Sequence, residues 1–277
     1  MGKKKDNEMS FLEHLEELRW HIIRSLVSIV VFALLAFIFK KIVFDRIILA
    51  PNSPDFITNR LMCKLGHLLN ADALCINSES IELISIKMSG QFSMHVMVSL
   101  VAGLVVAFPY VFYQFWRFVV PALYSNEKKY ASGAIFYSSA LFILGILFGY
   151  FIIIPLTIHF FGSYSVSDQI TNQINLISFV SNITTTVVAT GIIFELPILV
   201  YFLTKIGIVT PQFLKKYRKH SFIVILTLAA IITPPDIFSQ LIVTLPLVLL
   251  YEVSIIISKR IVRRKEQQAL KEESENK

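Results

Sequence analysis

The sequence predicts an all-α integral membrane protein of six transmembrane helices, with both termini cytoplasmic and the last two spans short. Three observations carry that expectation. The 277 residues are 55% hydrophobic and 16% charged, with a mean hydropathy of +0.66, whereas soluble domains carry about 25% charge. The apolar residues form long blocks: Met88 to Trp116, Tyr130 to Ser167 and Gln169 to Phe194 contain no Asp, Glu, Lys or Arg, as a hydrocarbon layer about 30 Å thick demands. Lys and Arg are also unevenly placed. With the N-terminus inside, the inner segments hold 20 of the 26 and the outer loops 6, the asymmetry of cytoplasmic loops.

The chain divides into a cytoplasmic amphipathic segment (1–24), a six-helix transmembrane domain (22–258) and a cytoplasmic basic, disordered tail (259–277). The basic start is followed by Glu13, Glu16, Glu17 and Arg19, not by the apolar core of a cleaved signal, so span one is expected to be retained. In SFLEHLEELRWHIIR, Ser10 and Glu13 form a capping box. Phe11, Leu12, Leu15, Leu18 and Ile22 share one helical face, and Glu13, Glu17, His21 and Arg24 share another, with Glu17 and His21 an i,i+4 pair. One reading is a helix lying on the inner leaflet with its polar face solvated. The other is that the glutamates await something positive, since an anionic surface prefers cations.

Span one runs from about Ile22 to Phe39 and is closed by Lys40-Lys41. The long outer loop, Lys40 to Lys87, holds all six outer cations, five acids and both cysteines, Cys63 and Cys75. An oxidising outer compartment permits a disulfide there; two unpaired thiols are the alternative. Span two covers Gln91 to Tyr113. An interfacial aromatic cluster of Phe115, Trp116, Phe118 and Tyr124 follows it. Pro121 breaks any continuing helix, and Glu127 adds an acid on the inner side. Span three is Ala131 to Phe151 or slightly beyond.

Span four, Ser178 to Thr204, contains VVATGIIFELPILVYFL, in which Glu195 is the one residue unsuited to oil. A charge at the bilayer centre costs about 2.5–3.5 kcal/mol on insertion scales. Thr184, Val188 and Gly191 share the face of Glu195, a stripe of small residues suited to close packing or a groove. Pro197 removes the bond to Ile193 and bends the helix. An interhelix hydrogen bond is the structural reading of Glu195, and a functional role is the other. Span five, Ser221 to Thr233, and span six, Ile237 to Ile257, are hinged by Thr233-Pro234-Pro235-Asp236. Fifteen uncharged residues from Ser221 to Pro235 make about 22 Å of helix. Span six reaches fifteen, Ile237 to Tyr251, before Glu252. These could form a re-entrant hairpin, a pair in which Glu252 snorkels, or a deliberately thin wall. Asp236 is placed to cap span six. The residues from Lys259 to Lys265 suit an inner-leaflet anchor on membrane lipids.

No HExxH, GxSxG or GxxxxGK[ST] motif occurs, and the six histidines show no ligand spacing. Neither an enzyme, a metal, a cofactor nor a nucleic-acid partner is expected. No obvious duplicated half of the kind many transporters carry is present.

Four motifs in order, FLEHLEELR, FWRFVVPALYSNEKK, GIIFELPIL and TPPDIFSQ, resemble the TatC family of the twin-arginine protein translocase over nearly the whole chain. The resemblance implies a receptor for signal peptides carrying an Arg pair, in a bacterial inner membrane. It also implies single-span TatA-type and often TatB-type partners, and passage of folded proteins driven by the proton-motive force without nucleotide hydrolysis. On that resemblance Glu17 and Glu127 match the cytoplasmic acids for the signal's arginines, chemistry suited to the guanidinium fork. Arg19, Gln114 and Phe118 match positions of the same surface. Glu195 matches the intramembrane acid of span four, and Asp236 and Gln240 match the last outer loop. Pro51 matches a proline after span one. Where many relatives have a further basic residue after ELR, this chain has Trp20-His21. The alternatives are a proton-coupled small-solute transporter using Glu195 as proton carrier, and a membrane scaffold.

Overall fold

The computed structural model describes residues 11–70, 75–77, 80–119, 131–167, 169, 172–233 and 236–275. In chain order come α1 (Phe11–Ile38), α2 (Ile57–Leu69), strand β1 (Leu83–Ile84), α3 (Gly90–Val119), α4 (Ala131–Phe148) and α5 (Ile154–Ser163). Strand β2 (Ile174–Asn175), α6 (Leu176–Ile193), α7 (Leu196–Lys205), α8 (Pro211–Lys216), α9 (Arg218–Ile232) and α10 (Ile237–Glu275) complete the fold. Among the described residues five helical stretches are long and apolar enough to cross a membrane: Glu16–Ile38, Gly90–Phe118, Ile135–Ser163, Leu176–Lys205 and Ser239–Gln268. The remaining expected span is α9, fifteen residues or about 22 Å.

The amphipathic segment is continuous with span one: α1 runs unbroken past residue 24, because neither Gly nor Pro interrupts Phe11 to Ile38. Three expectations are corrected. Span three continues beyond Phe151, passing from α4 through a π-helical turn at Gly149–Ile153 into α5. Span four is two helices, α6 and α7, parted at Phe194–Glu195. The tail is helical rather than disordered as far as Glu275, since residues 259–275 are rich in Lys, Arg, Glu and Gln, which favour helix, and lack Gly and Pro. The Ser10 cap, Pro121, Tyr124, Glu127, Pro234 and Pro235 lie outside the described residues.

The chain forms two compact units, Met1–Phe39 with His95–Ser139, and Lys40–Met94 with Ala140–Lys277. In the first, α1 and α3 approach at Gly103, where an added Cβ would sit 2.6 Å from the Ala33 nitrogen and 2.7 Å from the Ile29 oxygen. His95 stacks on Phe37 at 3.9 Å, and its Nε2 lies 3.0 Å from the Phe37 carbonyl. Burial along α1 does not follow hydrophobicity. Ile22, Leu26, Val27, Val30 and Leu34 are exposed, while His21 on the polar face is buried.

In the second unit a core of Ile153, Phe194, Ile225, Ala229, Val243 and Leu247 joins span three to α6, α9 and α10. Glycine permits the closest approach: a Cβ at Gly145 would meet the Thr190 carbonyl at 2.7 Å, and one at Gly191 would meet Ile146 Cδ1 at 2.8 Å. Thr190 turns its hydroxyl back onto the Thr186 and Val187 carbonyls, at 2.8 and 2.9 Å, so no polar atom is orphaned in the contact. At the other end of these helices Thr204 donates to Ser258 at 2.9 Å and Tyr251 to the Leu214 carbonyl at 2.9 Å. Glu252 does not snorkel alone; it pairs with Arg218 at the start of α9. The segment between α1 and α3 is folded against the second unit's helices. Strands β1 and β2 pair in parallel, Leu83 with Ile174 and Ile84 with Asn175, and Cys63 is disulfide-bonded to Cys75.

Candidate functional site

The helical repeat brings Glu17 and His21 to one face of α1 and Tyr110, Gln114 and Phe118 to one face of α3. The first unit joins these faces. His21 Nδ1 lies 2.6 Å from Gln114 Oε1, and Gln114 Nε2 donates to the Tyr110 hydroxyl at 2.6 Å. An amide oxygen only accepts, so His21 carries its proton on Nδ1 and the imidazole orients the amide. The Phe118 ring meets His21 edge-on at 6.3 Å. His21 is 5% exposed and Gln114 3%. Such buried polar groups persist because each is bonded.

Glu17, Trp20, His21, Arg24 and Arg117 line a cavity of about 370 Å³ beside this chain of bonds. Oε2 of Glu17 is buried, without a hydrogen-bond partner among the described residues. Arg24 and Arg117 are exposed, so their charges are solvated while that carboxylate oxygen is not. A desolvated acceptor without a donor is costly; a cationic donor entering the cavity relieves that cost. Of the residues expected at this surface, Glu17, Gln114 and Phe118 are gathered here, and Arg19 is exposed on α1. Glu127 lies outside the described residues. His21 is the hub that sequence reasoning undervalued, treating it as an i,i+4 partner and a departure from a basic position. A histidine on one spanning helix and a Tyr–Gln i,i+4 pair on another were the available signals.

Glu195 sits elsewhere, in the second unit, in the two-residue gap between α6 and α7, next to buried Phe194. Its Oε1 is buried. Pro197 lacks an N–H and crowds the Ile193 carbonyl. The Glu195 carbonyl takes over, accepting from both Ile198 and Leu199 at 3.0 Å. The break falls at the acid itself, and the carboxylate stands where helix geometry is interrupted.

Asp236, Gln240 and Pro51 have plain structural partners. Asp236 Oδ2 accepts from the Ser239 N–H at 2.7 Å, capping α10. Gln240 Nε2 reaches the Leu226 carbonyl of α9 at 3.4 Å. Pro51 is fully buried in a 3-10 turn, Ala50–Asn52. Its carbonyl and that of Ser53 accept from Asn59 Nδ2 at 3.2 and 2.9 Å. Asn59 Oδ1 in turn accepts from Asn77, which also donates to the Pro155 carbonyl at 2.9 Å. Asn77 holds φ at 51°, a left-handed position that Asn tolerates. This asparagine network had no periodic signature in the sequence.

The family described as "Sec-independent protein translocase protein (TatC)" matches residues 13–246. The chain is 42% identical over 265 residues to "Sec-independent protein translocase protein TatC" of Blattabacterium sp. subsp. Periplaneta americana, covering 95% of this chain and 100% of that protein. It is 34% identical over 260 residues to the protein of the same name from Aquifex aeolicus, covering 94% and 98%. Among solved structures it is similar to "Twin Arginine Translocase Receptor- TatC in DDM", with a TM-score of 0.68, 34% identity and 89% and 99% of the two chains covered. The translocase reading therefore holds over the solute-transporter and scaffold readings, and the six-span helical fold with it. This chain belongs to the TatC family of Sec-independent protein translocase proteins.

Proposed function

We propose that this chain binds the consecutive arginines of a signal peptide at the cytoplasmic ends of α1 and α3, as the receptor and core of a translocase for folded proteins. The observation that carries the proposal is the Glu17 carboxylate oxygen, buried with no partner among the described residues at a cavity wall held in place by His21 and Gln114. A guanidinium fork supplies the missing donors bidentately, and an ammonium does so less completely. Glu127 serves the second arginine, and Phe118 and Arg19 border the same surface. Twenty of the 26 Lys and Arg on the side of the termini support a cytoplasmic N-terminus and C-terminus in a bacterial inner membrane. Single-span TatA-type and TatB-type subunits are the partners, a polar side chain of one of them meeting Glu195 at the α6–α7 break. The proton-motive force drives passage, and the fifteen-residue α9 thins the wall through which a bulky cargo must go.

The test is binding of an Arg-Arg signal peptide to the detergent-solubilised chain. Hydrogen bonds to charged groups are worth about 1.5–3 kcal/mol, so Glu17→Ala and Glu127→Ala should each weaken binding roughly tenfold to a hundredfold. Replacing the peptide's arginines by lysines should do likewise. Unchanged affinity across all three would overturn the assignment.

A further inference from the structure

The outer loop contains a helix with three distinct faces. Along α2, Ile57, Leu61, Leu65, Leu68 and Leu69 fall within about a third of the circumference and are 68%, 57%, 41%, 78% and 67% exposed. The adjoining face, with Asn59 and Gly66, is buried against the second unit. The third carries Arg60, Lys64 and His67, all exposed, and α2 contains no acid.

Its anchors fix where this helix sits. Thr58 Oγ1 donates to the Phe151 carbonyl at 2.5 Å, and the Tyr150 ring meets Phe56, at the start of α2, edge-on at 5.5 Å. Phe56 stacks on Phe151 at 5.5 Å, tilted by 12°. The Asn59–Asn77 pair adds a tie to the Pro155 carbonyl. All these attachment points lie within the span Ile135–Ser163, and Phe151 is twelve residues from its end, about 18 Å of helix. Even if the last turns of that span stand clear of a hydrocarbon layer about 30 Å thick, the first turn of α2 is held at membrane depth.

We infer that α2 is an interfacial helix embedded in the outer leaflet, its leucine face among acyl chains and its Arg60–Lys64 edge on phospholipid phosphates. An exposed apolar arc of this size is unfavourable in water. A basic flank beside an apolar face is the arrangement by which helices lie in an anionic interface. The Cys63–Cys75 bond ties the middle of the helix to the segment carrying Asn77, so α2 stays at that depth.

Single cysteines at Leu61, Leu65 and Leu68, and at exposed Gln267 in the charged end of α10 as an aqueous reference, can be spin-labelled in the full chain, because both native cysteines are bonded to each other. In phosphatidylethanolamine–phosphatidylglycerol vesicles, the three leucine positions should collide severalfold more with oxygen than with a water-soluble nickel chelate, and Gln267 should show the reverse. Nickel access at the leucine positions equal to that at Gln267 would overturn the inference. So would labels shielded from both colliders, which would mean that a protein surface covers the helix.

Discussion

Glu17 on α1 and Glu195 between α6 and α7 are both acids in apolar spans, yet their surroundings differ. Glu17 borders an open cavity with a carboxylate oxygen awaiting a donor. Glu195 stands at the gap between α6 and α7, beside the Phe148–Phe194 aromatic pair at 5.5 Å. In that apolar setting a neutral hydrogen-bonding group can replace an acid whose task is to bond a partner's polar side chain. Glu195→Gln should retain most transport of a folded, Arg-Arg-tagged passenger into membrane vesicles, whereas Glu195→Ala should lose it severalfold, in line with about 1 kcal/mol for a neutral hydrogen bond. Equal, complete loss in both variants would point instead to an ionised carboxylate.

At the scale of the element, helix contact depends on small residues wherever backbones touch. Gly103 faces the backbone of α1, not a side-chain end that could swing away. Gly103→Val should therefore force α1 and α3 apart and cost about 1–3 kcal/mol. It should also weaken signal-peptide binding, because His21 and Gln114 must meet across the same pair of helices. Thermal unfolding in detergent together with peptide titration reads both effects. A variant with unchanged melting and affinity would show that the crossing tolerates a side chain. The α6–α7 break follows a similar local logic: Pro197 removes one bond, and the Glu195 carbonyl accepts two.

For the whole molecule, the described residues between α1 and α3 are a folded part. The disulfide closes a separation of 12 residues, and cross-links of that size restrict the unfolded chain by about 3 kcal/mol. Reduction, or Cys63→Ser with Cys75→Ser, should lower the melting midpoint of the full chain by roughly 5 °C and loosen the Asn59–Asn77–Pro155 ties. Hydrogen exchange over residues 57–69 would report that loosening, and protection unaffected by reductant would contradict it. The short α9 is held by α10, whose Glu252 pairs with Arg218 and whose Gln240 reaches Leu226. A helix of about 22 Å is thereby braced at its start and near its middle.

The sequence by itself determined the number of spans, the short α9 and the break near Pro197, because bilayer thickness, charge exclusion and proline geometry act within a single segment; the family followed from the resemblance of four motifs. The family resemblance drew attention to Glu17, Gln114 and Phe118. Only the tertiary structure decided that His21 orients Gln114 across 93 residues of chain, that α1 buries His21 while Ile22, Leu26 and Leu34 stay exposed, and that Arg218 pairs with Glu252. It likewise decided that α2 is pinned beside Phe151. These are pairings between segments far apart in sequence, and in a membrane the apolar pattern alone does not choose among them, since lipid satisfies an apolar face as well as a neighbouring helix does.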